Sequence, residues 1–358
     1  MSFRALGRYA FIQAKLRTRI GLMLDDQQIE QLMRSQTLEE LLHALQQTPY
    51  APLMEIYDQS GDVQRLEAWL FARNVSLHQD VTELLSGVHS DAVAALTRKL
   101  EVENLKSVLR LWFSNTVKHQ NIDYRFGYLY QQPIVGDIDW TQIVNAQQYE
   151  EIVTALTGTL YEETIRQFTL QQITTDGLFF LETALDRTWM HQLRNVVLHL
   201  NREDRDLALS VLDRDVDLKN SINLVRFGWM YQLEEDQLRT LMLEGGSLQQ
   251  TREFEQYLKS PIAKRSPQQL VAKRFPDLAK QLKEMDKATP EEQTRAVQQY
   301  LFTIRRRSFQ VMLRGNPFTF GIILAYFFLE ERQDALIRTL INGIHYGWST
   351  ETIREFVI

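Results

Sequence analysis

One motif occurs twice in this chain, 116 residues apart. Glu101, Asn104, Val108, Leu109 and Arg110 are matched in order by Asp217, Asn220, Leu224, Val225 and Arg226. The same step again leads to Gln333, Leu336, Leu340, Ile341 and Asn342, where the apolar pair persists but the acid, the Asn and the Arg are lost. A second segment follows nearly the same spacing, at steps of 115 and 116 residues: Leu66 with Leu70, Leu181 with Leu185, and Val297 with Leu301. A third pattern runs from Leu24-Asp25 to Thr48-Pro49-Tyr50, again from Ile138-Asp139 to Thr159-Leu160-Tyr161, and starts once more at Gly347-Trp348-Ser349. The spacing predicts three similar units, residues 1–123, 124–236 and 237–358. They exceed the periods of roughly 20 to 50 residues found in common solenoids. Three similar units tend to close around a pseudo-threefold axis.

Each unit reads as helical. Leu105, Val108, Leu109 and Trp112 form one stripe, and Leu181, Leu185, Trp189, Leu193, Val196 and Val197 another. Apolar residues at steps of three and four mark amphipathic helices. Strand-like alternation is scarce, and the short piece from Tyr124 to Tyr130 is not read as a strand. The expected fold class is all-α. Two breaks interrupt the pattern. Gly245-Gly246-Ser247 is the smaller. The larger is a Pro/Lys-rich insertion, residues 259–292, which reads as a loop or loosely held segment. It holds Pro261, Pro267, Pro276 and Pro290, half of the eight prolines in the chain. Proline rules out one long helix there, but short helices from Pro267 to Arg274 and from Pro276 to Lys287 fit, each with Pro near its start.

Composition narrows the function classes. The chain has 358 residues, 44% hydrophobic and 24% charged, which suits a packed core rather than disorder. A formal net charge of -6 offers no global basic field for nucleic acid. With no cysteine, disulfides, thiolate metal sites and a Cys nucleophile are excluded. The start of the chain lacks the ordered regions of a signal peptide. The longest apolar run, residues 318–329, is well short of the ~20 residues that span a bilayer and reads as a buried helix. No direct membrane span is therefore expected, and any membrane role would pass through a membrane partner.

No phosphate-binding loop, dinucleotide fingerprint or nucleophile elbow occurs. Seven histidines are dispersed. His191 and His199 are placed to share a helix face, but a third ligand is wanting, so no metal and no cofactor are expected. Two basic clusters stand out: Arg305, Arg306 and Arg307, and Lys15, Arg17 and Arg19 with Arg4 and Arg8 upstream. Solvated helix faces are the plain reading. The alternative is docking to acidic loops of a partner, where charge sets encounter rate and register.

Taken in order, several segments resemble the C subunit of V-type and archaeal-type ATPases (the d subunit in eukaryotic nomenclature). The opening stretch from Arg8 to Arg17 is similar to that family's first helix, and Leu38 to Leu42 with Leu45 to Tyr50 to its next segment. Glu101 to Arg110 and Asp217 to Arg226 resemble its repeated acid-and-Asn motif. Glu331, Arg332, Arg338, Gly343 and Ser349 to Arg354 resemble its C-terminal signature, with Gln333 in place of a Glu and Leu336 in place of an Asn. The resemblance covers nearly the whole chain. It implies a funnel-like, pseudo-threefold, all-helical protein that binds no nucleotide. Such a protein is a non-catalytic part of the central rotor, between the central-shaft subunits of the headpiece and the membrane proteolipid ring. It would be peripheral, on the cytoplasmic side of the membrane.

Two readings of Glu101, Asn104, Asp217 and Asn220 stay open. Each acid shares a helix face with its Asn. In the architectural reading, which is preferred, the acids oppose the helix dipole and each Asn ties a loop carbonyl. In the sharper reading they line the axis of a funnel with Arg110, Arg226 and Arg338. An enzyme using the repeated carboxylates is disfavoured, because equivalent acids at equivalent sites lack the two unequal environments of a catalytic pair. An unrelated helical scaffold for partner proteins is the other alternative.

Overall fold

Helices begin where short polar side chains can satisfy their first N–H groups. The computed structural model describes the backbone of residues 3–121, 125, 127–230, 233–285 and 287–357. It describes their side chains except at 3–6, 8, 226, 228–230, 310–311 and 355–357. The early helices are α1 (Phe3–Gly21), α2 (Asp26–Leu32), α3 (Leu38–Ala44), α4 (Pro52–Ser60), α5 (Val63–Glu83) and α6 (Val88–Trp112), the last continued by a π turn, Phe113–Val117. Then come α7 (Trp140–Val144), α8 (Tyr149–Ala155), α9 (Glu162–Arg166), α10 (Leu170–Asp176), α11 (Phe179–Val197) and α12 (Arg202–Met230). The rest are α13 (Glu235–Leu241), α14 (Arg252–Lys259), α15 (Pro267–Ala272), α16 (Pro276–Glu284), α17 (Pro290–Arg314), α18 (Gly321–His345) and α19 (Thr350–Val357). No strand occurs among the described residues, so the all-α class holds. Residues 127–130 form a turn and bend with no strand; Tyr124 is outside the described residues.

Two compact units emerge from the contacts. One comprises residues 1–144 with 309–358, the other residues 145–308. In the first, α18 packs on α1, α3, α5 and α19, while α6 packs on α5 and α7. Its core joins Leu41, Leu42, Leu53, Leu66 and Leu70 to Leu336, Ile337, Leu340 and Ile341 of α18. The apolar run read as a buried helix forms the start of α18, where Ile322 to Phe328 are all buried.

The second unit is organised on α12, which faces two clusters. Leu224 joins Leu238, Leu241, Phe254 and Leu258 of α13 and α14. Leu218 and Val225 meet Val271, Leu278, Val297 and Leu301 of α15, α16 and α17. This corrects the expectation of a loosely held segment over residues 259–292. Pro267, Pro276 and Pro290 each open a helix, where a missing N–H forfeits nothing. The helices between them bury Leu270, Val271 and Leu278 in the core. They end at Ala272 and Glu284, two and three residues earlier than Arg274 and Lys287.

Candidate functional site

The repeated motif has a common job in the folded chain: each copy holds the loop that leads into a set of short helices. Glu101 is fully buried on α6. Its Oε2 accepts the N–H groups of Val135 at 2.9 Å and Gly136 at 2.5 Å, and its Oε1 accepts from Arg98 at 3.0 Å. One turn on, Asn104 donates its amide to the Tyr130 carbonyl at 2.9 Å. The held loop runs straight into Asp139, whose side chain accepts the N–H of Gln142 at the start of α7.

Asp217 and Asn220 repeat this on α12. Asp217 accepts the N–H groups of Ser247 and Leu248, both at 2.8 Å, and the Ser247 hydroxyl at 2.8 Å. Its guanidinium partner is Arg274, at 2.9 Å. Asn220 grips Leu243 at both ends, donating to its carbonyl at 3.0 Å and accepting its N–H at 2.8 Å. Asp213, one turn before Asp217, accepts the N–H of Gly246 at 3.0 Å and pairs with Arg194. Gly246 has a φ of +68°, and a Cβ there would lie 2.3 Å from Asp217 Oδ1. That close approach is why the turn carries glycine. The loop ends at Thr251, which accepts the N–H of Phe254 and starts α14.

The third copy performs the same task with reversed polarity. Gln333 on α18 donates its amide to the carbonyl of Leu24 at 3.0 Å. Leu24 immediately precedes Asp25, whose side chain accepts the N–H of Gln28 at the start of α2. The loop presents a carbonyl here, so an amide serves where a carboxylate would not. Leu336, in the Asn position, packs into the core beside Leu41 and Ile337. The copy that reads as degenerate is matched to a different backbone group.

Arg110 is exposed near the end of α6, and the side chain of Arg226 is outside the described residues. Arg338 is exposed on α18 and lines a cavity of 710 Å³ with Asp62, Glu67, Tyr130, Asn342 and Trp348. The two acids in that cavity are already engaged, Asp62 by the N–H of Gln64 and Glu67 by the Asn342 amide. Asn104 lines the same cavity, so Arg338 shares it with one of the motif residues.

Several partners were not legible in the motif. Arg98, Asp213, Arg194 and Arg274 complete the two clamps; Arg98 and Asp213 lie within a turn of the motif acid, whereas Arg194 and Arg274 are distant in sequence from the acids they meet. Part of each basic cluster also turns inward. Arg305 pairs with buried Asp215, which Lys219 approaches at 3.1 Å. Burial alone would raise the Asp215 carboxyl, but these two cations hold it well below the usual carboxylate range. Arg19 reaches Asp80 at 2.5 Å and Arg17 the Leu313 carbonyl at 3.2 Å, whereas Arg307 is exposed. Arg4 and Arg8 have side chains outside the described residues. His191 meets Glu244, and His199 the Asn195 carbonyl. His78 lies flat on Phe327, and burial, with Lys99 nearby, lowers its pKa to about 3.

Chemically, Glu101 and Asp217 are saturated acceptors. Their oxygens are taken by backbone N–H groups and an arginine, an arrangement that pins a loop rather than shuttles a proton. Among the described residues, no group of three or more His, Cys, Asp or Glu side chains is placed to hold a metal ion.

The sequence family described as ATP synthase (C/AC39) subunit matches residues 12–356. The chain is 22% identical over 349 residues to the C subunit of the A-type ATP synthase from Thermococcus kodakarensis, covering 98% of this chain and 90% of that one. It is 22% identical over 354 residues to the like-named protein of Pyrococcus abyssi, with the same coverage. With that of Methanosarcina mazei it shares 23% identity over 244 residues, 66% of this chain and 64% of that one.

Proposed function

The chain belongs to the ATP synthase (C/AC39) subunit family, and on that premise we propose that it is the non-catalytic linker in the central rotor of a rotary ATPase. In this reading it joins the turning shaft of the soluble headpiece to the membrane proteolipid ring, so that ATP chemistry and proton or sodium transport are coupled. The observation that carries the reading is the family match over nearly the whole length. Two features of the molecule support it. The motif acids serve as loop pins, as suits a part that must transmit torque without deforming. Among the described residues no helix is long and apolar enough to cross a membrane, which fits a peripheral protein docked on the cytoplasmic face through its partners.

The finer architecture belongs to the same proposal. Three units, residues 1–123, 124–236 and 237–358, are arranged as a pseudo-threefold funnel. The clamps favour closure. The first motif holds the loop that opens the second unit, the second motif a loop at the start of the third, and the third motif reaches back to Leu24 in the first.

Affinity purification of the tagged chain from mildly solubilised membranes of its source cell tests the assignment. Shaft subunits and the proteolipid ring should co-purify. Recovery of neither would overturn it.

A further inference from the structure

Two carboxylates of α18 share one arginine nitrogen in the interior of the first unit. Arg73 Nη1, on α5, lies 2.9 Å from Glu330 and 3.3 Å from Asp334. Their side chains are 4% and 5% exposed, and that of Arg73 is 13% exposed. The Tyr50 hydroxyl donates to Asp334 Oδ1 at 3.1 Å, and the Arg73 guanidinium sits over the Tyr50 ring at 4.7 Å. Asp334 Oδ2 is buried and accepts no hydrogen bond.

The other groups facing the pair are few. Gln333 and Arg338 flank Asp334 on α18, with Arg338 acting through its field rather than by contact. Tyr326 faces Glu330 from the preceding turn and is itself approached by Arg19 of α1. Arg19 is itself engaged by Asp80. One guanidinium thus serves two buried carboxylates, and one carboxylate oxygen is left bare. Burying an ionised oxygen without a donor is costly, and the usual relief is to bind a proton.

We propose that Glu330 and Asp334 form a proton-linked clasp, in which the pair binds one proton in the folded chain and that proton tightens the joint of α18 to α5 and Tyr50. The bare Oδ2 of Asp334 is the position for the proton. With it in place, Arg73 serves a single charge and the mutual repulsion of the two acids ends. Without it, the joint carries an excess buried negative charge. The clasp ties residues from the first quarter of the chain to its last long helix, so its state sets how firmly the two ends of the chain are held together. Burial, opposed by Arg73 and reinforced by Glu330, raises the Asp334 carboxyl to about 7.

The linkage has a defined sign. A carboxyl whose folded pKa lies above its unfolded value of about 3.9 binds its proton preferentially in the folded state. Stability is then highest on the acid side of that window, declines as pH rises towards 7, and is flat above it. Denaturant unfolding of the full chain and of Asp334→Asn across pH 5 to 8 tests this. Relative to the variant, the folding constant of the native chain should rise about 10-fold from pH 8 to pH 6 and about 100-fold by pH 5. Parallel profiles would overturn the proposal. A carboxyl-carbon NMR titration of the native chain gives a second readout that needs no variant. One aspartate resonance should titrate near neutrality, and titration of every aspartate below pH 5 would overturn the clasp.

Discussion

Changing Gln333 to Glu, which would restore the acid present in the other two copies, should destabilise the chain by about 3 kcal/mol at neutral pH. The Gln333 amide is the donor to the Leu24 carbonyl, and Leu24 is itself buried. A carboxylate would set oxygen against oxygen, leave that carbonyl without its partner, and add a charge beside Asp334 and Glu330. An unmade bond to a buried carbonyl alone costs about 1–3 kcal/mol. The loss should depend on pH. The new carboxyl can still donate to Leu24 when protonated, so its folded pKa would lie above the unfolded value of about 4.3. The penalty is then absent below that value, grows as pH rises through the folded pKa, and levels off above it. Gln333→Ala removes the donor without adding charge and should cost about 1–2 kcal/mol with no such pH profile. Urea unfolding at several pH values distinguishes the two variants.

Arg305→Ala should cost about 3 kcal/mol, although it lies in what reads as a solvent-facing basic triplet. The guanidinium pairs with Asp215, whose side chain is 11% exposed. Removing one partner leaves an under-compensated buried charge, the situation in which a broken pair is most damaging. Lys219 still approaches that carboxylate at 3.1 Å and holds the loss to the lower end of the range. Arg307→Ala, at an exposed position of the same helix, should change stability by no more than about 0.5 kcal/mol. Because Asp215 has a depressed pKa, its contribution is present above the unfolded carboxylate value and is lost as pH falls towards the folded one. The gap between native chain and Arg305→Ala should therefore narrow in acid. Equal unfolding midpoints for the Arg305 and Arg307 variants would show that the triplet faces solvent after all.

Much of the fold is legible along the chain because its signals are local. The stripe of Leu105, Val108, Leu109 and Trp112 is fully buried. Prolines 267, 276 and 290 mark helix starts, yet their density reads as looseness. What turns them into core is the apolar content between them, above all Leu270, Val271 and Leu278. The tetrapeptide Leu45-Gln-Gln-Thr48 recurs as Leu248-Gln-Gln-Thr251, and in both the Thr hydroxyl donates to the Leu carbonyl. The first follows α3 and the second opens α14, so the identity reports a shared turn rather than a shared place in the repeat.

The clamps are only half legible. Their acid and Asn recur at a fixed step, and the reading of Asn as a tie to a loop carbonyl matches Tyr130 and Leu243. Which loop each pin holds depends on tertiary contact. Asp217 meets Arg274 across 57 positions of sequence, and Gln333 meets Leu24 across 309. Whether a loop turns an N–H or a carbonyl towards the helix is a property of its backbone. That is why the third copy reads as worn while Gln333 fits its partner.

Amide hydrogen exchange on the full chain, read beside assembly into the rotary complex, is the decisive measurement for the motif as a set of loop pins. Glu101→Ala should speed exchange at Val135 and Gly136 and leave Ser247 and Leu248 protected, and Asp217→Ala should do the reverse. Both variants should still assemble with the other subunits of the ATP synthase complex at temperatures where they remain folded. Unchanged exchange at all four amides together with lost assembly would mean that these acids face partners, and that the pinning of loops is incidental.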